Sequence, residues 1–156
     1  MYLIHHQIRY SIFLFMTPFK STTMVQTDLS QLHQDCQIWI GQLRNSRSAI
    51  NDLRSKLQQL MTSTLAKSSL PEVEHYDNQF EIQLSNINHL KQAIRDHLMQ
   101  SGWEENMEQS EPLPYIKTIH ESLDDQCGHL GDKIIKLKED FNTFYWKNSG
   151  DVMSGH

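Results

Sequence analysis

Turn-forming residues are scarce in this chain: six glycines and four prolines in 156 residues, about half the roughly 12% of average usage. A sandwich or barrel of many short strands needs more turns than that, as does any fold relying on several glycine-rich loops. There is no run of about 18 apolar residues, so a conventional membrane span is excluded. Cysteine is limited to Cys36 and Cys127, far apart and in no CxxC or CxxH spacing. They are read as small core residues at heptad positions, with a single disulfide as the lesser alternative, and the compartment as intracellular. A basic face is also missing. The formal charge is -5, and because Met1 to Thr23 carries Arg9 and Lys20 but no acid, the rest is more acidic than the whole. Phosphate-backbone binding is therefore not expected. The length suits one domain with a single core.

What is present is heptad patterning. Leu29, Leu32, Cys36, Trp39, Leu43, Ser46, Ile50, Leu53, Leu57 and Leu60 alternate at intervals of three and four, the a/d pattern of helices packed along their length. Thr27 and Asp28 are candidate N-caps, and the polar run Thr62 to Ser68 ends the segment. Gly41 costs this helix about 1 kcal/mol relative to Ala.

A second segment opens at Ser69-Leu70-Pro71-Glu72, a capping box with proline in the first turn. Its stripe is Val73, Tyr76, Phe80, Gln83, Ile87, Leu90, Ile94 and His97, broadened by Leu84 and Leu98 as for a helix touching two neighbours. Ser101-Gly102 supplies a stop signal, and Trp103 to Glu111 reads as a linker. Pro112 and Pro114 open a third segment with the stripe Ile116, Ile119, Leu123, Gln126 or Cys127, Leu130, Ile134, Leu137, Phe141 and Phe144. Gly128 to Gly131 leaves open whether that helix kinks or breaks, with Asp132 as the cap of a restart.

These features predict an all-α protein: an antiparallel up-down-up three-helix bundle with long helices over about 27–62, 70–100 and 112–147. The bundle occupies 24–147 and 148–156 forms a tail. Residues 1–23 stand apart. Tyr10 to Phe19 has the length of a signal-peptide apolar region and follows Arg9, yet no small-x-small cleavage site follows. The segment is read as a poorly ordered leader or as sequence preceding a true start at Met24, with a secretory or anchoring segment as the third reading.

Chemical signals are few. Glu72-Val-Glu-His75 has the Glu-x-x-His spacing of carboxylate-bridged di-iron bundles, but it has no second copy and Glu72 is wanted for capping. His33-Gln-Asp-Cys36 and Cys127-Gly-His129 invite a zinc reading. Residues i and i+2 of a helix point about 200° apart, so Cys127 and His129 can share an ion only if the helix breaks there. His97 in the stripe, with His89 and His120 beside the stripes, reads as a set of core-edge histidines. No nucleophile elbow, phosphate loop or HExxH helix occurs. No catalytic residue, cofactor-binding residue, cofactor or metal ligand is assigned on this basis, and no enzymatic activity is expected. Arg47 and Arg54 are positioned to face Asp77 and Glu81. Phe141, Phe144, Tyr145 and Trp146 crowd the end of helix three, with the last two expected to cap the bundle end or form an exposed patch.

The segments Leu32-His-Gln-Asp-Cys-Gln-Ile-Trp39 and Glu72-Val-Glu-His-Tyr-Asp-Asn-Gln-Phe80 resemble small helical proteins of Bacteroidetes-type bacteria that have no assigned activity. The resemblance covers about residues 24 to 147. It implies a bacterial, cytoplasmic helical protein and favours Met24 as the start. The leading functional expectation is a non-enzymatic interaction or scaffold bundle that binds a protein partner or self-associates, the a/d pattern being compatible with an intramolecular bundle or an intermolecular coiled coil. It has no nucleic-acid partner, and no membrane contact unless residues 10–19 anchor it. The alternatives are a metal- or small-ligand-binding bundle using buried His, Cys and Glu, and a membrane-tethered bundle anchored by residues 10–19.

Overall fold

The computed structural model describes residues 29–62, 69–105 and 114–149. The expected leader, the Met24 start, the Thr27 and Asp28 caps and the tail beyond Ser149 lie outside these residues. Within them the chain forms three helices, α1 (Leu29–Thr62), α2 (Leu70–Glu105) and α3 (Pro114–Ser149). At 1.5 Å per residue each is about 50 Å long. All three pairs of helices are in contact, as an all-α three-helix bundle requires.

Side-chain pairs fix the directions. Arg54 on α1 bridges Asp77 and Glu81 on α2, while Arg47, two turns earlier, donates to Asn88 Oδ1 at 3.1 Å. Rising numbers on one helix meet falling numbers on the next, so α1 and α2 are antiparallel. The same holds for α2 and α3, where Phe80 meets Phe141 at one end and His97 meets His120 at the other. With Asp35 against His120 and Lys56 over the Tyr145 ring, α1 and α3 run parallel. The topology is up-down-up.

The interior follows the heptads. Every apolar stripe position of α1 is buried, and Phe80, Ile87, Ile94 and Phe141 are almost wholly enclosed. At one end Tyr76, Phe80, Phe141 and Phe144 form a ring cluster with centroids 5.0 to 6.3 Å apart, in the offset and edge-on arrangements that aromatic quadrupoles favour. Ser69 donates to Asn148 Oδ1 at 3.1 Å and ties the start of α2 to the end of α3. Tyr145 packs on the core, whereas Trp146 is 70% exposed, so the expected pair divides between packing and surface.

Two sequence expectations are corrected, and one open question is answered. α2 continues through Ser101-Gly102 to Glu105, so the linker begins later than Trp103. α3 is continuous through Gly128 and Gly131. Both glycines face open space with ordinary backbone angles, and a helix this long absorbs their cost of about 1 kcal/mol each through packing. Third, Ile119 is not a core residue but 37% exposed, and His120 is buried in its place. A regular alternation of four and three from Ile116 passes through 120, 123, 127 and 130, and the helix keeps that alternation because a shift of one residue turns a side chain by about 100°.

Candidate metal centre

Near the end where α1 starts, α2 finishes and α3 starts, each helix gives one polar residue to the interior. Cys36 is 0% exposed, His97 1% and His120 8%. Heptad position puts them there: Cys36 lies on the α1 stripe, His97 on the α2 stripe, and His120 where the regular α3 stripe falls. The Cys36 sulfur and one nitrogen of each ring lie within 4.8 Å of one another.

The hydrogen bonds define how the imidazoles are held. His120 Nε2 is 3.2 Å from Asp35 Oδ2. A carboxylate only accepts, so Nε2 carries the proton and, in the neutral ring, Nδ1 holds a lone pair. That Nδ1 is 3.2 Å from His97 Nε2, which therefore donates to it. Protons thus point in one direction, from His97 to His120 to Asp35. Trp39 lies against the His120 ring with centroids 4.5 Å apart and fixes its plane. Burial lowers the His120 pKa below the ordinary 6.5, opposed by the hydrogen bond and charge of Asp35 and, more weakly, by Asp124 and Glu121. The ring is accordingly neutral, the state a metal ligand needs.

Burial, and secondarily the Asp35 charge, pushes the Cys36 thiol up to about 12. Cys127 is likewise pushed up to about 12 by burial, with Asp124 and Cys36 adding to it. Both cysteines are free. Held protonated and shielded, the Cys36 thiol acts as a packing group in the metal-free chain; only a bound cation would ionise it.

The geometry suits a tetrahedral ion. With metal–nitrogen bonds of about 2.0–2.1 Å and a metal–sulfur bond of about 2.3 Å, ligand nitrogens sit about 3.3 Å apart and nitrogen and sulfur about 3.5 Å apart. The two nitrogens are already 3.2 Å apart, and the sulfur lies within 4.8 Å of the ligand nitrogens. Asp35 on the far nitrogen of His120 is the carboxylate–histidine arrangement that orients ligating imidazoles and raises their basicity. One thiolate and one carboxylate also balance a divalent charge, which reduces the cost of burying it.

The spacings singled out in the sequence take no part as such. Glu72 and His75 are exposed, and His75 stands edge-on to Tyr76. His33 is half-buried on α1, but Cys36 finds its neighbours on α2 and α3 rather than in His33. His129 is exposed and lines a surface groove with His89, while Cys127 is partly buried. The unbroken α3 keeps Cys127 and His129 on different sides.

No family model, curated protein or solved structure matches the chain significantly. No helix among the described residues is long and apolar enough to cross a membrane.

Proposed function

We propose that the protein is a metal-binding helical bundle that holds one divalent, borderline-soft ion such as zinc on Cys36 Sγ, His97 Nε2 and His120 Nδ1, with Asp35 as the outer carboxylate. The observation that carries this reading is the convergence of one buried ligand from each helix within 4.8 Å. A soft thiolate with two imidazoles selects zinc, cobalt or copper over magnesium or calcium, which want oxygen ligands. The ion would take the place of the His97 Nε2 proton, which moves to Nδ1 as that ring changes tautomer, and the Cys36 thiol proton would be released to solvent.

Metal analysis of the purified full-length chain tests this. One zinc per chain is expected, lost in Cys36→Ser, His97→Gln and His120→Gln and kept in His75→Gln and His129→Gln. Asp35→Asn weakens binding by roughly 10- to 100-fold. Substoichiometric metal, or metal that survives the three ligand changes, would refute it.

The interaction-module reading draws on a different observation. Met61, Leu70 and Trp146 are all exposed and lie where α1 ends, α2 begins and α3 ends. Light scattering gives the mass in solution, and a mass that falls to the monomer in Trp146→Ala supports self-association through that end; a monomeric wild type opposes it.

A further inference from the structure

The apolar interior is interrupted. The main core runs from Cys36 and Ile94 to the aromatic cluster at Phe80 and Phe141. Leu29, Leu32 and Ile116 form a separate small cluster. Between the two lies the polar layer of Asp35, His97, Ser101 and His120, with Ser101 fully buried and its hydroxyl donating back to Leu98 O at 3.1 Å. Among the described residues three aliphatic side chains complete this end, and an end with few buried apolar contacts, joined to the rest through a polar layer, is held weakly.

That layer, with Cys36 of the main core at its edge, holds the proposed metal ligands, one from each helix. We infer that ion binding governs the order of this end of the bundle: without the ion, residues 29–36, 97–105 and 114–120 open locally while the rest stays folded, and the bound ion locks them. The inference rests on the metal reading and adds a role for the ion within the fold. An opening that separates any of the three helices removes a ligand, so the ion binds the closed end and not the open one. Linkage then raises the closed-to-open ratio by one plus the ratio of free ion to its dissociation constant, about a hundredfold at a free ion concentration a hundred times that constant.

Hydrogen exchange of the full-length chain, in EDTA and in zinc at that excess, tests this. In EDTA, amides of 30–36, 98–105 and 115–120 should exchange at least about tenfold faster than those of 76–84 and 137–145, as a local opening requires. Zinc should slow the first group about a hundredfold, and folded Cys36→Ser, verified by its helical circular dichroism, should lose that response. Equal protection of the two ends in EDTA, or one zinc bound per chain with no slowing at the layer end, would overturn the inference while leaving metal binding intact. Failure to take up zinc at all would instead overturn the metal reading and this inference with it.

Discussion

Acid should weaken the metal-free bundle through one side chain. His120 is 8% exposed, and the groups facing it are Asp35 on α1, His97 on α2, and Asp124 and Glu121 on its own helix. Burial lowers its pKa in the folded chain against the ordinary 6.5, the carboxylates opposing but not cancelling that effect. The unfolded chain restores the ordinary value. Well above pH 6.5 the ring is neutral in both states and its contribution is fully present. Below that the unfolded chain takes up a proton that the folded chain refuses, so stability is lost as pH falls towards the folded pKa. A single proton limits the slope to about 1.4 kcal/mol per pH unit, and the loss between pH 6.5 and 5.5 to about 1 kcal/mol. Against a domain stability of about 5–15 kcal/mol this is measurable. Urea unfolding in EDTA at pH 7.5, 6.5 and 5.5, followed by helical circular dichroism, gives the curve. Comparison with His120→Gln isolates the imidazole, because the other titrating groups are common to both proteins. The variant should lose less over that unit, by up to about 1 kcal/mol. Parallel curves for the two proteins, or stability that rises as pH falls, would show that His120 is not held neutral by burial and refute the reasoning.

Two further outcomes concern the rest of the bundle. Phe141 is fully buried against Tyr76 and Phe80, so Phe141→Ala should cost about 3–5 kcal/mol in urea unfolding. Because an added Cβ at Gly128 or Gly131 meets only open space, Gly128→Ala and Gly131→Ala should each raise stability by up to about 1 kcal/mol. A loss at either position would mean that the glycine serves something other than helix continuity.

Much of this architecture can be read in the residues. The alternation of three and four along Leu29 to Leu60 and along Val73 to His97 identifies the buried faces, and the pairing of Arg54 with Asp77 and Glu81 follows from flank positions alone. Ile119 is apolar but one position off the strict spacing; the regular alternation points to His120. The metal centre was less visible because no local spacing records it: Cys36, His97 and His120 lie on three different helices. A register argument nevertheless reaches it. Arg54 sits between Asp77 and Glu81, and moving about five turns towards the start of α1 and the end of α2 brings Cys36 opposite His97. The irregular features drew attention elsewhere. Gly128 and Gly131 suggested a break, but a glycine pair costs a long packed helix too little to break it.

Supplying one ligand from each helix also gives the centre a place in time. A hairpin of α1 and α2 presents only Cys36 and His97, and a hairpin of α2 and α3 only the two histidines. Neither hairpin holds the full set, so during folding the complete donor set exists only after the last helix docks. If the proposed centre takes up cobalt, a refolding chain would therefore develop the thiolate charge-transfer band at the moment of final assembly, making the ion a clock for the last tertiary step.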